Sequence, residues 1–235
     1  MTDGLPHVRQ RAADGRTLSE TVHDRLRADI IAGRRPAGER LRIEWLSRTY
    51  GVGQTPLREA LQRLCAAGLV TAQGNRGFTV APLDIAEFRD LNIARTAIET
   101  EALRLAIARG GDDWEAAVVA ALYRLEKQDA ALARDETAAL DAWEAANAAF
   151  HDATVAACGS HWLLRLRAML SDQCERYRRA SVGLRRADRD LAAEHRAIAE
   201  AVLARDGDAA CARITAHFAT TTDLLSEEMT SGVGG

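Results

Sequence analysis

The sequence predicts a mainly α-helical chain of two units: three helices and a β-hairpin near the N-terminus, then an all-helical bundle. Three observations carry this. Apolar residues recur at helical spacing through most of the 235 residues. The strand-like runs LVTAQ and FTVAP flank a Gly-Asn-Arg-Gly turn, the pattern of a hairpin. After Pro82 there is no further proline, and the chain becomes rich in Ala and Leu.

Taken in order, residues 18–32 read as an amphipathic helix with Leu18, Val22, Leu26 and Ile30 on one face, Ser19 as its cap and Gly33 as its stop. The stretch RRPAGERL reads as a turn-rich link. A short helix follows over about 43–50, ended by Gly51. The third helix has Thr55 in place to cap it, Pro56 at the first helical position and an inner stripe of Leu57, Leu61 and Leu64; Gly68 stops it. Two helices joined by a tight glycine-containing turn and followed by a hairpin form a winged helix-turn-helix. This assigns 17–82 to the first unit and 83–229 to the second, with a flexible tail over 1–16 and a disordered one over 230–235. Breaks at Gly110-Gly111-Asp112, about 133–136, Gly159-Ser160, about 181–188 and Asp206-Gly207-Asp208 divide the second unit into six helices.

Charge separates the units as well. The chain carries −3 overall, yet residues 1–82 hold 13 Arg against 8 acidic residues, and the remainder is acidic. A basic first unit points to a polyanionic partner. No apolar run is long enough to span a membrane, and the basic N-terminus lacks the apolar segment of a secretory signal, so a cytoplasmic protein is expected. Cys65, Cys158, Cys174 and Cys211 form no C-x-x-C pair and are expected to be reduced thiols.

A helix that reads DNA needs an apolar stripe against its own domain and donors on the opposite face. With the three leucines inward, the third helix turns Thr55, Arg58, Glu59 and Gln62 outward, preceded by Gln54. Asn75 and Arg76 sit at the wing tip, in reach of the minor groove or the backbone. Through AGRRPAGERLRIEWLSRTYGV, TPLREALQRLCAAGLV and NRGFTV, the run from Leu18 to Val80 resembles the DNA-binding domain of the GntR family of bacterial regulators. The resemblance implies that Thr55, Arg58 and the wing Gly77 face double-stranded operator DNA. Members usually carry serine-arginine where this chain has Gly53-Gln54, a departure that bears on which bases are preferred.

Three of the six histidines lie on apolar faces of three different expected helices. His151 aligns with Leu140, Trp143, Asn147 and Thr154, His195 with Leu191, Ile198 and Val202, and His217 with Ala210, Ile214, Thr221 and Leu224. Burying several imidazoles without partners is costly, and a shared metal supplies one. Asn147, one turn before His151, offers an oxygen as a fourth ligand. This part of the chain is similar to the FCD-type effector domain of the GntR family, in its shorter, six-helix form. Its motifs here are Arg95-x-x-x-Glu99, Asn147-x-x-Phe150-His151, Glu194-His195-Arg196 and His217. The resemblance implies a divalent metal at Asn147, His151, His195 and His217 (zinc, with nickel and manganese as alternatives). It also implies a small carboxylate or sugar-acid effector held by Arg95. Asn147 departs from the aspartate usual at the first ligand position. An i,i+4 pair with Glu99 is the other role open to Arg95. The whole then reads as a homodimeric repressor on a pseudo-palindromic operator, with two other readings left open: the metal itself as the signal, or a purely structural metal. No H-E-x-x-H helix or nucleophile triad is present, so an enzyme is not expected.

Overall fold

The computed structural model describes residues 15–72, 77–132, 134, 136–180 and 189–231. It divides into two compact units, Met1–Leu83 and Asp84–Gly235.

The first unit opens with α1 (Leu18–Ile31), whose stripe of Val22, Leu26 and Ile30 is buried. Its cap is Thr17 rather than Ser19. Thr17 has extended backbone, its hydroxyl accepts the Glu20 N–H at 3.1 Å, and the Glu20 carboxylate accepts the Thr17 N–H at 2.9 Å. Threonine with glutamate three residues on closes a reciprocal capping box, which Ser19 cannot do from inside the first turn. Helix α2 (Ile43–Tyr50) ends at Gly51, which takes the left-handed conformation at φ 67°. Helix α3 (Gln54–Ala66) is capped by Gly53, so Thr55 and Pro56 lie within its first turn instead of starting it. Proline is accommodated there because the first N–H groups of a helix have no intrahelical acceptor.

The hairpin β2 (Val70–Ala72) and β3 (Phe78–Val80) gains an unexpected third strand, β1 (Arg40–Leu41), inside the link read as turn. The antiparallel order is β1-β3-β2, with Leu41 opposite Phe78 and Thr71 opposite Thr79. A two-residue strand shows no alternation to read; what holds it is the burial of Leu41 in the core with Leu46, Leu57, Leu61, Leu64 and Val80. The first fourteen residues of the N-terminal tail and 232–235 of the C-terminal one lie outside the described residues.

The second unit contains α4 (Ile85–Arg109), α5 (Asp112–Leu132), α6 (Glu136–Val155), a 3-10 turn (Ala156–Cys158), α7 (His161–Ala180), α8 (Leu191–Leu203) and α9 (Gly207–Ser231). The last helix runs two residues past the end read from the sequence. Aspartates start three of the helices: Asp84 accepts the Glu87 N–H, Asp190 that of Ala193 and Asp206 that of Ala209. Helix α4 packs on α7 and α9, and α5 on α6 and α8. Leu103, Val118, Leu125, Trp143, Phe150, Ile198, Val202, Ile214 and Phe218 form the core between them. Trp143 is buried but satisfied, its indole N–H donating to Asp129 at 2.7 Å. Among the described residues no helix is long and apolar enough to cross a membrane. All four cysteines are free thiols, Cys158, Cys174 and Cys211 being buried.

The two candidate caps of α1 separate in a stability measurement. Thr17→Ala is expected to lower unfolding free energy by about 0.5–2 kcal/mol, seen as a lower urea midpoint of the first unit. Ser19→Ala should cost less, because no cap bond is lost.

Candidate DNA-reading helix and effector cleft

Helix α3 is two-sided. Leu57, Leu61 and Leu64 are fully buried, and Gln54, Thr55, Arg58, Glu59 and Gln62 are exposed on the other side. No acidic residue stands in its first turn, so the partial positive charge of its N-terminus is not neutralised locally. The structure therefore gathers Gln54, Thr55 and Arg58 at one helix end. Gly77 enters β3 with φ 97°, a conformation that side chains rarely adopt. Asn75 and Arg76 lie outside the described residues.

In the second unit the three histidines converge. His151 comes from α6, His195 from α8 and His217 from α9. All are buried, and one ring nitrogen of each falls within 4.8 Å of the others. Ring centroids are 4.9 Å apart for His195–His217, 5.3 Å for His151–His217 and 5.6 Å for His151–His195. Among the described residues, both nitrogens of His151 and of His195 lack a hydrogen-bond partner, as does Oδ1 of the buried Asn147. His217 differs: its Nδ1 lies 2.6 Å from Glu194, whose carboxylate is held by Arg189 at 2.8 and 2.7 Å. Burial opposes ionisation of Glu194, yet the bonds from Arg189 and His217 outweigh it and bring its pKa down to about 2. An ionised carboxylate only accepts, so Nδ1 of His217 carries the proton and Nε2 keeps its lone pair. Burial, followed by the mutual repulsion of the cluster, pushes His151 and His195 well below the ordinary imidazole range. Burial also lowers His217, with Glu194 opposing. All three are neutral near pH 7, the form that binds metals.

A cleft opens beside them, about 280 Å³ counting its mouth, lined by Arg95, Trp143, Asn147, His151, Arg178, Leu191, His217, Phe218 and Thr221. Arg95 is buried, its guanidinium lying 3.8 Å from the centre of the Phe218 ring, and its Nε has no partner. The i,i+4 alternative does not form: Glu99 accepts instead from Arg167 of α7 at 2.9 Å. Arg167 also pairs with Asp152. Arg178 forks onto Glu144 of α6, closest at 2.8 Å, with both side chains buried. Burial alone would lower the Arg178 pKa, but Glu144 reverses this and raises it. Sequence reasoning missed Arg167, Arg178, Glu144 and Arg189. Helix α7 is so rich in arginine that its inner positions look like a solvated face, and the available signal was an acid at 99 and at 144 on the buried faces of α4 and α6.

An exposed recognition helix with no acid in its first turn, next to a three-stranded wing and joined to a helical bundle with a buried polar cleft, defines a DNA-binding transcription regulator with a separate second domain. Comparison with known proteins agrees. Residues 18–80 match the model for bacterial regulatory proteins of the gntR family, and 90–220 match the FCD domain. The chain is 40% identical over 215 residues to the HTH-type transcriptional regulator BphR of Paraburkholderia xenovorans, covering 92% of this chain and 88% of that one. It is 40% identical over 210 residues to the HTH-type transcriptional repressor GlaR of Escherichia coli, covering 87% and 94%. Among solved structures, E. coli McbR/YncC shares the fold with a TM-score of 0.74 at 18% identity, over 91% of this chain and 99% of that one. A GntR regulator from Rhodococcus sp. RHA1 shares it at 0.73 and 21% identity, over 88% and 96%. The chain belongs to the GntR family, in its FCD branch, and is a transcriptional regulator rather than an enzyme.

Two substitutions test the recognition helix and the buried Arg178–Glu144 pair. Arg58→Ala is expected to weaken binding to a DNA fragment selected by the wild-type protein by about 1–3 kcal/mol, measured by fluorescence anisotropy, with the helical content of the second unit unchanged. Glu144→Ala strands the buried Arg178 charge and is expected to cost about 3–5 kcal/mol of stability, read by urea unfolding. Replacing both residues with apolar ones should recover most of that loss.

Proposed function

We propose that this regulator represses transcription and releases its operator when a small carboxylate enters the bundle cleft, beside a divalent metal held by Asn147, His151, His195 and His217. The observation that carries this reading is the set of buried, unpartnered atoms. Five of them (Oδ1 of Asn147 and both nitrogens of His151 and His195) lie on the ligand residues, and the buried Nε of Arg95 lies on the same cleft. Polar groups taken from water without partners cost free energy that a shared cation offsets. A divalent ion there supplies open coordination positions for an oxygen ligand; zinc suits the imidazole-rich set, and nickel or manganese accept it too.

The chain's own residues supply the rest. Arg95 faces the cleft as a fork that suits a carboxylate, with its plane fixed by Phe218. Arg178 lines the same cleft, and its neighbour Tyr177 stacks on Phe88 at 4.5 Å between ring centres. The Tyr177 hydroxyl accepts the Asp84 N–H at 3.3 Å and donates to Glu87 at 3.4 Å. Consecutive residues of α7 thus touch the cleft and fasten the first turn of α4. Four residues, Ala81, Pro82, Leu83 and Asp84, separate that turn from β3. A ligand that moves Arg95 on α4 or Arg178 on α7 bears on the stretch entering the DNA-binding unit. Couplings of this kind are about 1–3 kcal/mol. Two copies on a pseudo-palindromic operator, one recognition helix per half-site, complete the reading. The relative GlaR of Escherichia coli is a transcriptional repressor by name, which supports repression as the sign.

A thermal-shift screen of the purified protein against small carboxylates, with and without a chelator, tests this. One acid should raise the midpoint, by about 2.7 kcal/mol of stabilisation at a hundredfold excess over its Kd. The chelator and Arg95→Ala should each remove the effect, and the same acid should weaken operator binding. If metal alone stabilises the protein and alters DNA affinity while no acid adds anything, the ion itself is the signal and the effector reading fails.

A further inference from the structure

We infer that Arg189 is a positioning residue of the metal site, acting through Glu194 to fix the orientation and tautomer of His217. This rests on the metal reading above. Among the described residues, His151 and His195 have no hydrogen-bond partner on either ring nitrogen. His217 is the ligand whose ring is held by a second group, the Glu194 carboxylate at 2.6 Å from Nδ1. That carboxylate is itself held. Arg189 approaches it in parallel, Nε to Oε1 at 2.8 Å and Nη2 to Oε2 at 2.7 Å, the bidentate geometry particular to guanidinium. The same Nη2 reaches the backbone carbonyl of His217 at 3.3 Å and the Thr221 hydroxyl at 3.1 Å. Arg189 therefore ties the start of α8, where Glu194 stands, to the turn of α9 that carries His217.

The Arg189 side chain is 4% exposed and that of Glu194 27%, so the tie is buried at its arginine end and half-buried at the carboxylate. Arg189 is absent from the cleft lining, which separates it from Arg95 and Arg178. A carboxylate occupied by a fork of two N–H groups can only accept from His217. The Nδ1–H form is then enforced, which would leave Nε2 as the nitrogen free to hold a metal. Carboxylate partners of metal-bound histidines set ring orientation and ligand basicity in this way, and losing one weakens metal binding by about 10- to 100-fold. Here the carboxylate depends on a further residue for its own placement. Freed from Arg189, Glu194 can rotate away or approach the ion directly, and both outcomes alter affinity.

The test uses full-length protein, zinc as the probe and three variants: Arg189→Ala, Arg189→Lys and Glu194→Gln. Zinc affinity is measured by competition with a chromophoric chelator. In parallel, ¹⁵N NMR of the metal-free protein reports the His217 tautomer, and thermal unfolding without metal reports fold integrity. Arg189→Ala should shift zinc affinity by about 10- to 100-fold and convert the His217 signal from a single Nδ1–H form to a tautomer mixture. Arg189→Lys, which keeps charge but lacks the fork, should recover only part of the affinity. Glu194→Gln should match the alanine variant. Unchanged zinc affinity and tautomer in Arg189→Ala, with wild-type zinc binding intact, would overturn the role of Arg189 and leave the metal reading standing. If wild-type protein binds no zinc, nickel or manganese, the metal reading itself fails and this inference with it. Equal affinity losses in all variants that merely track lower metal-free unfolding temperatures, with the tautomer unaltered, would also overturn it.

Discussion

The apolar stripes of α6, α8 and α9 cannot be buried without taking His151, His195 and His217 in with them. Each histidine stands within a turn of large core residues: Phe150 beside His151, Ile198 after His195, Ile214 and Phe218 around His217. Exposing these stripes would forfeit roughly 1.5–3 kcal/mol for every large side chain returned to water. Burying an imidazole without partners costs about 1–3 kcal/mol, so packing wins and the polar rings go inside. Three helices brought together by their apolar residues then place three lone-pair donors within 4.8 Å of one another. The core and the site are one construction, and the cleft follows from it, because Asn147 and Arg95 share the same interior.

How much of this could be read from the sequence depended on whether a feature was periodic. Helix α2, the inner leucines of α3 and the histidine-bearing faces of α6, α8 and α9 repeat at three and four residues, so their burial followed from spacing. Features set by partners distant in sequence did not. Strand β1 exists because β3 arrives beside it, and nothing in Arg40-Leu41 announces that. The cap of α1 fell to Thr17 because Glu20 lies three residues on, which makes the capping box stronger evidence than the proximity of Ser19. Arg167 and Arg178 went unread for a physical reason: arginine on a helix is usually solvated, and only a carboxylate from another helix makes an inward one tolerable. The acids at 99 and 144 are those carboxylates, each on a buried helix face that mixes apolar side chains such as Leu103 and Trp143 with other polar ones such as Arg95 and Asn147.

Charge pairing around the cleft narrows what can enter it. Glu99 is taken by Arg167, Glu144 by Arg178 and Glu194 by Arg189. The first two are buried on both sides, and such pairs roughly break even against apolar packing, so their value lies in arrangement more than in stability. The arrangement matters here because Arg95 stands four residues from Glu99 on α4 and would pair with it if Arg167 did not. Arg167 thus leaves Arg95 without an acidic partner among the described residues, buried and stacked on Phe218. The histidines do nothing to balance it, being neutral, and Asn147 is neutral as well. An aspartate at 147 would bring a negative charge into the cluster and weaken the demand for another; asparagine keeps that demand whole. A cleft walled by the Arg95 guanidinium and by the uncharged Asn147, His151 and His217 carries a net positive field, and this is the electrostatic ground on which the proposed function takes its ligand to be an anion.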